Sequence, residues 1–187
     1  MLKIFNKIKT LIITSVLLFP LIVAAFPEES IYNLKIELND KNGRYLDISK
    51  LAGKVHIFSM IYVNCKTICP IIIANMKELE KKLTKEQLEN IQFTLVTLDP
   101  ERDNCVSLNR FFFEKKFNEK HWNLYRTTKE NTLKLALATG IKYKRDRTEF
   151  IHSNMIGVID RSGVIRIFHQ GLDKNFDDII KMINFLI

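Results

Sequence analysis

The 187-residue sequence has few of the residues that cross-link a chain or interrupt its helices and strands. It contains three cysteines, four prolines and six glycines. Three cysteines in a chain of this length exclude a disulfide scaffold, and an odd count leaves one thiol over. The sequence has no internal repeat and no low-complexity stretch, which excludes repeat architectures. With 47% hydrophobic and 27% charged residues, the composition is that of one folded globular domain rather than a disordered chain.

The charge is positive but not concentrated. The formal net charge is +8, and Lys3, Lys7 and Lys9 supply three of the positive charges. The mild basic excess of the rest suits an anionic membrane surface or an acidic protein partner, and equally an ordinary solvated surface. No arginine-rich stripe is interleaved with aromatic residues, so we expect no nucleic-acid binding.

Residues 1–25 have the pattern of an export signal. The three lysines precede an apolar run over residues 11–23, which ends in small residues of a Val-Ala-Ala pattern. We therefore expect an extracytoplasmic protein, in the bacterial periplasm or its equivalent, whose folded domain covers residues 26–187.

An uncleaved signal would give a second outcome, membrane association through residues 10–25 and anchoring to the inner membrane. The apolar run is shorter than the roughly 20 residues that span a membrane comfortably, and Pro20 interrupts it. No cysteine lies near its end, so a lipoprotein anchor is not indicated. A buried amino-terminal helix would leave the basic flank unexplained.

The hydrophobic periodicity predicts alternating strands and helices. The predicted strands cover residues 31–38, 55–62, 91–98, 123–126, 155–160 and 164–169. The predicted helices cover residues 69–83, 84–90, 104–117, 128–139 and 173–187. This order, a βαβ unit followed by ββα, indicates an α/β thioredoxin-like fold with a central mixed sheet and helices on both faces. An amino-terminal β-hairpin with its turn at Asn42-Gly43 precedes it, and residues 142–149 are predicted to be a basic loop.

Cys65 and Cys69 lie between the predicted strand 55–62 and the helix that follows it. Ligand sites gather at the carboxyl ends of strands in open α/β sheets, and a helix amino terminus favours thiolate over thiol. Two close thiolates can form a disulfide or bind a soft metal such as Cu(I). A permanent structural disulfide, a redox-active pair and a metal site are all compatible with this spacing.

Residues 58–70 (Phe-Ser-Met-Ile-Tyr-Val-Asn-Cys-Lys-Thr-Ile-Cys-Pro) resemble the signature of the SCO/SenC family, copper-handling proteins that help assemble the binuclear copper centre of cytochrome c oxidase. Further segments agree in order and spacing, and they are residues 97–103, 122–124, 140–143, 151–155 and 159–163. The resemblance extends from about residue 31 to residue 187.

The resemblance implies a copper site made of Cys65, Cys69 and His152, able to hold Cu(I) or Cu(II). It implies a metallochaperone rather than an enzyme, with a copper-receiving subunit of cytochrome c oxidase, or another copper or thiol protein, as its partner. Thiol–disulfide reduction by the two cysteines, acting on the oxidase subunit or another partner, is the alternative. A redox or copper sensor is a third hypothesis.

Other residues are expected to have plainer roles. Cys105 departs from the family's motif, and we expect a buried free thiol there, with pairing between chains as the alternative. Asp103 is expected in a solvated turn in which Asp103 or Asn104 caps the helix that follows, whereas for Asp99 a solvated turn and a role near the site stay equally open. The basic segment 142–149 suits an acidic partner or plain solvent.

The remaining histidines are expected to be structural. His56 lies inside a predicted buried strand, and His121 and His169 are expected near the surface.

Overall fold

The structure is a computed structural model that describes residues 25–147 and 149–187. The predicted export signal lies outside the described residues except for Ala25, so its removal stays a prediction. Within the described ranges, no helix is both long enough and apolar enough to cross a membrane.

The chain alternates strands and helices as the periodicity predicts. The strands are β1 (Glu37–Asp40), β2 (Tyr45–Asp47), β3 (Val55–Ile61), β4 (Ile91–Thr97), β5 (Trp122–Arg126), β6 (Tyr143–Asp146), β7 (Glu149–His152), β8 (Met155–Ile159) and β9 (Ile165–Gln170). The α-helices are α1 (Cys69–Lys82), α2 (Lys85–Asn90), α3 (Cys105–Glu114), α4 (Lys129–Ala138) and α5 (Asp177–Leu186).

Seven strands form one mixed sheet in the order β2-β1-β5-β4-β3-β8-β9. Its centre is parallel, because β4 pairs in parallel with both β3 and β5. The β8–β9 hairpin adds to β3 antiparallel, and the β1–β2 hairpin adds to β5 in the same sense. The predicted α/β class, mixed sheet and amino-terminal hairpin are confirmed.

The sheet is covered on both faces, and β3 shows why its sequence is apolar throughout. All seven of its residues are buried. Ile57 and Ile61 face the larger core, which includes residues of α1, α3 and α5. Phe58 and Met60 face a second core, which includes residues of α4. A strand buried on both faces gives a continuous apolar run instead of an alternating one.

Local signals mark the starts of helices α1 and α2. The predicted capping box at α2 is present, because the Gln87 N–H donates to Thr84 Oγ1 at 3.2 Å and the Thr84 N–H donates to Gln87 Oε1 at 2.7 Å. Helix α1 has Pro70 in its first turn, where a proline is tolerated, but Ile68 at the cap position offers no side-chain acceptor.

The predicted strand over residues 31–38 is wrong in its first half. Ile31–Leu34 is a 3₁₀ turn that Ser30 begins, and the Ser30 hydroxyl accepts the Tyr32 N–H at 3.1 Å. Lys35 follows with a φ of +51°, so the chain reaches extended geometry only afterwards. The apolar side chains of this segment alternate because they pack into the second core, and not because the segment pairs as a strand.

The predicted basic loop at residues 142–149 is also wrong, because this region is a β-hairpin. Strands β6 and β7 pair antiparallel, with Tyr143 opposite His152 and Asp146 opposite Glu149. Arg147 takes a left-handed φ of +52° at its turn. Glycine and asparagine normally mark that conformation, so the sequence lacks the usual hairpin signal.

Gly163 in the β8–β9 turn gives a prediction about stability. Its φ is +87°, and a Cβ there would lie 2.4 Å from Ser30 Oγ and 2.6 Å from a ring carbon of Tyr32. Gly43 has a similar φ of +83° but open space around it. We expect Gly43→Ala to lower the free energy of unfolding by about 1–2 kcal/mol through backbone strain alone. Gly163→Ala should lower it by clearly more, because a steric clash is added to the same strain.

Chemical denaturation of the two variants and the parent protein measures both effects. The difference between the variants isolates the steric clash. Equal losses in the two variants would show that the turn does not pack against residues 30–32 as described.

Candidate metal centre

The cysteine loop leaves the sheet at the carboxyl end of β3. The Leu98 N–H donates to the Ile61 carbonyl at 2.7 Å, which holds the ends of β3 and β4 together. The Cys65 N–H then donates to the Tyr62 carbonyl at 3.2 Å and turns the chain back towards α1. The loop therefore lies at the edge of the sheet where α/β folds place their sites.

Cys65 and Cys69 face each other across the start of α1. Cys65 is 8% exposed and Cys69, the first residue of the helix, is 1% exposed. The Cys69 N–H donates to Cys65 Sγ at 3.3 Å. The sulfur thus accepts one of the free amides that every helix leaves at its amino terminus.

This geometry separates the two thiols in acidity. The pKa of Cys65 is lowered because the Cys69 thiol donates a hydrogen bond to it, against the opposing effect of burial. The pKa of Cys69 is raised by the same hydrogen bond and by its burial. In a singly deprotonated, metal-free pair, the negative charge is therefore favoured on Cys65 over Cys69.

His152 brings the third donor atom from the end of β7. Its Nε2 lies 3.2 Å from Cys69 Sγ, and its Nδ1 lies 2.9 Å from the Ser153 carbonyl oxygen. A carbonyl can only accept, so Nδ1 carries a proton, and the neutral imidazole with this tautomer presents its Nε2 lone pair to Cys69 Sγ. This is the arrangement in which a histidine binds a metal through Nε2.

The structure brings all three predicted site residues together. One donor atom each from Cys65, Cys69 and His152 lies within 4.8 Å of the other two. Two sulfurs and one imidazole nitrogen form a soft donor set.

Asp103 corrects an expectation, because it lies in no solvated turn. It is 1% exposed, accepts the Val63 N–H at 3.0 Å, and accepts the Thr97 hydroxyl. The helix cap that we expected of Asp103 or its neighbour belongs to Asn104, which accepts the Ser107 N–H at 3.0 Å. Asp103 therefore ties the base of the cysteine loop to the end of β4.

Asp99 belongs to the same support rather than to solvent. It is 1% exposed, and its carboxylate pairs with Arg102. Its carbonyl accepts the Asp103 N–H at 2.8 Å, which fixes the turn that carries Asp103. Of the two roles expected for Asp99, the solvated turn is therefore wrong. The residue is buried and has a structural role beside the site.

A glycine allows the segment after His152 to pack close to α1. A Cβ on Gly171 would lie 2.7 Å from the Asn154 carbonyl oxygen and 3.0 Å from Ile72 Cγ1. The Asn75 side chain, 2% exposed on α1, donates to the Gly171 carbonyl at 2.8 Å. This contact holds Gly171 against the helix that begins at Cys69, and the Gly171 N–H in turn donates to the carbonyl of Asn154, two residues beyond His152, at 2.5 Å.

The other three histidines lie outside the cluster of Cys65, Cys69 and His152. His56 is buried in β3 and contacts Thr94 Oγ1 and the Leu51 carbonyl, both at 2.8 Å, as a structural histidine does. His121 is 8% exposed, so its predicted surface position is wrong. His169 is half-buried and stands outside the cluster.

Cys105 is a free thiol, as expected, but it is only half-buried. It begins α3, and its thiol donates to Asn39 Oδ1 at 2.6 Å. It therefore takes no part in the cluster of Cys65, Cys69 and His152.

The mixed sheet, with a cysteine pair where the first helix begins and a histidine after the last parallel strand, defines a thioredoxin-like protein with a Cys₂His cluster. The profile of the SCO1/SenC family matches residues 27–186. The chain belongs to this family.

Individual relatives agree with this assignment. The SCO1 protein homolog of Bacillus subtilis is 25% identical over 146 residues, which cover 75% of each chain. The crystal structure of a SCO1/SenC family lipoprotein from Bacillus anthracis has a TM-score of 0.73 and 25% identity, covering 80% of this chain and 91% of that one. The structure of Bradyrhizobium japonicum ScoI with copper bound, at 18% identity, shares the fold, with a TM-score of 0.69 and coverage of 81% and 97%.

Asp103 gives a prediction about pH. Burial raises its pKa, although hydrogen bonds from Thr97 and Val63 act against this. The folded protein therefore holds the proton more tightly than the unfolded chain, which titrates near pH 3.9. The carboxyl contributes stability that is present below that pH and is lost as the pH rises through the raised pKa.

We expect the free energy of unfolding of the parent protein, relative to Asp103→Asn, to fall between about pH 4 and pH 7. Denaturant unfolding of the reduced, metal-free proteins measures this difference. Asp160 is the control, because hydrogen bonds from Ser162 and Val164 outweigh its burial and lower its pKa. Asp160→Asn should show no such fall in this range, and a rising difference for Asp103 would contradict the sign.

Proposed function

We propose that this protein is a copper chaperone that binds copper through Cys65, Cys69 and His152 and supports assembly of the copper centre of cytochrome c oxidase. The observation that carries the proposal is the convergence of three donor atoms within 4.8 Å, with His152 Nε2 at 3.2 Å from Cys69 Sγ and His152 Nδ1 bonded to the Ser153 carbonyl. Copper is the cargo of such a protein.

The donor chemistry fits copper. Thiolates favour Cu(I), and an imidazole is acceptable to both Cu(I) and Cu(II). The lowered pKa of Cys65 favours a thiolate before any metal binds, whereas the raised pKa of Cys69 opposes the loss of the proton that binding requires. The copper-bound structure of the B. japonicum relative supports the same cargo.

Three donors also suit a protein that gives its metal away. A three-ligand site leaves a coordination position through which an incoming cysteine or histidine of a partner can attach before the first ligands leave. The partner we propose is the copper-receiving subunit of cytochrome c oxidase, or another copper or thiol protein.

We further propose an extracytoplasmic location, with residues 26–187 as the copper-binding domain. The B. anthracis relative described as a lipoprotein supports a position at the outer face of a membrane. The signal-like pattern over residues 1–25 supports export by the Sec-type route or retention as an anchor.

A second function, thiol–disulfide reduction, is favoured by the acidity of Cys65. The Cys65 thiolate would attack a partner disulfide and form a mixed disulfide, and Cys69 would then displace the partner's second thiol. The partner gains two electrons, one proton from Cys69 and one proton from solvent, and this protein keeps a Cys65–Cys69 disulfide.

The copper site makes a direct prediction. We expect the reduced protein to bind one copper ion per chain, and Cys65→Ser or Cys69→Ser to abolish high-affinity binding. His152→Ala should lose more than the roughly ten- to hundredfold in affinity that an outer partner of a metal ligand contributes. Competition titrations with Cu(I) and Cu(II), together with the thiolate-to-Cu(II) absorption, measure these changes.

Two matched controls lie outside the cluster. Cys105→Ser removes the third thiol and His169→Ala removes another half-buried imidazole, so both variants should bind copper as the parent does. If His152→Ala keeps the parent's affinity and absorption, the three-ligand site is refuted.

The reductase alternative makes a different prediction. In a Cys105→Ser background, Cys69→Ser should accumulate a mixed disulfide between Cys65 and glutathione when oxidised glutathione is added. Cys65→Ser should react at least about tenfold more slowly, because the remaining thiol is 1% exposed and its burial raises its pKa.

Mass spectrometry of quenched samples identifies the adduct and its rate. Equal rates in the two variants would contradict the assignment of Cys65 as the attacking thiol. Failure of this reaction together with normal copper binding would leave the chaperone proposal intact.

A further inference from the structure

His152 is carried by an element that lacks support from the main sheet. Strands β6 and β7 form a separate two-stranded sheet. A two-stranded hairpin is marginally stable at best in water. The position of His152 against the cysteines therefore depends on what attaches this hairpin to the rest of the domain.

Tyr62 provides the most buried of these attachments. It lies three residues before Cys65, and its side chain is 1% exposed. Its hydroxyl donates to Glu149 Oε2 at 2.5 Å and accepts the Phe150 N–H at 3.3 Å. One hydroxyl thus bonds both the side chain and the backbone at the start of β7.

The aromatic ring of Tyr62 completes the contact with the same strand. It meets Phe150 edge-on at a centroid distance of 5.3 Å, and it meets the His152 imidazole edge-on at 6.0 Å. The ring packs against two successive inward-facing residues of β7, whereas Glu149 and Ile151 are exposed. Tyr62 is therefore the side chain that links the cysteine loop with both ends of the histidine strand.

A further polar attachment of the hairpin, an ion pair, is exposed. Arg145 pairs with Glu101 at 3.2 Å, and their side chains are 46% and 49% exposed. Ion pairs of this kind contribute little in water. A hydrogen bond from a buried hydroxyl to a carboxylate is stronger and more directional.

We propose that Tyr62 and Glu149 form a latch that positions the His152 imidazole against Cys65 and Cys69. The inference rests on the proposed copper function, in which His152 is the third ligand. Tyr62 and Glu149 touch no metal in this role. They act through the hairpin and are positioning residues.

Tyr62→Phe tests the latch because it keeps the buried ring and removes only the hydroxyl. We expect copper affinity to fall about tenfold, the effect of losing one hydrogen bond to a charged group. We also expect the imidazole nitrogen coupling in the Cu(II) electron paramagnetic resonance spectrum to weaken towards that of His152→Ala. Glu149→Ala should reproduce both changes.

The conservative variant and a double variant separate positioning from general damage. Glu149→Gln keeps an oxygen that accepts the Tyr62 hydroxyl, so it should retain most of the parent's affinity and nitrogen coupling. In a His152→Ala background, Tyr62→Phe should have no further effect on copper binding, because the latch acts through His152. Additive losses would overturn the proposal.

A metal-free measurement makes the inference independent of copper binding. Hydrogen exchange of the reduced protein should speed up about tenfold at the amides of β6 and β7 in Tyr62→Phe, and stay unchanged in β3 and β4. Tyr32→Phe is the matched control, since Tyr32 is a tyrosine 3% exposed in the second core, whose hydroxyl has no partner among the described residues.

The outcomes distinguish the two proposals. If the parent protein binds no copper but Tyr62→Phe frees the hairpin amides, the latch stands and the chaperone function fails. If the parent binds copper through three ligands and Tyr62→Phe changes neither the spectrum nor the exchange, the latch fails and the function stands.

Discussion

The site depends on one hydrogen bond, from the Cys69 amide to Cys65 Sγ at 3.3 Å. Helix α1 begins with no side-chain cap from Ile68, and the sulfur accepts the free amide of the first helical residue. The same contact sets the distance between the two cysteines and favours negative charge on Cys65. The hydrogen bond at the start of the helix therefore also affects the acidity of the cysteines. A change in the protonation or bonding of Cys65 Sγ acts directly on the start of the helix.

Much of the fold could be predicted because its signals are local. The continuous apolar run of β3 indicates burial on both faces, and Thr84 with Gln87 indicates the start of α2. The errors arise where local and tertiary demands give the same pattern. Alternating apolar residues from Ile31 onwards look like a strand, yet a 3₁₀ turn buries them equally well. Arg147 in a left-handed conformation removes the glycine signal by which a hairpin is normally found.

Only part of the site could be predicted from the sequence, because local rules place the cysteines but not the histidine. The helix start and the strand end place Cys65 and Cys69 by local rules, whereas His152 was reached only through family resemblance. Its contact with Cys69 joins positions 83 residues apart, and no periodicity in either segment encodes it. The burial of Asp103 could not be predicted from the sequence either. An acidic turn is normally expected in solvent, and only the structure shows the cysteine loop that covers it.

The separation of the donor atoms along the chain has a consequence for the order in which the site is assembled. Two sulfurs four positions apart meet at small entropic cost, even in an unfolded chain. The imidazole joins them only after β3, β8 and the β6–β7 hairpin have found their places. An incompletely folded polypeptide therefore offers a flexible dithiol, and only the folded domain brings all three donor atoms within 4.8 Å of one another. The imidazole thus reaches the two sulfurs only when the tertiary structure is complete.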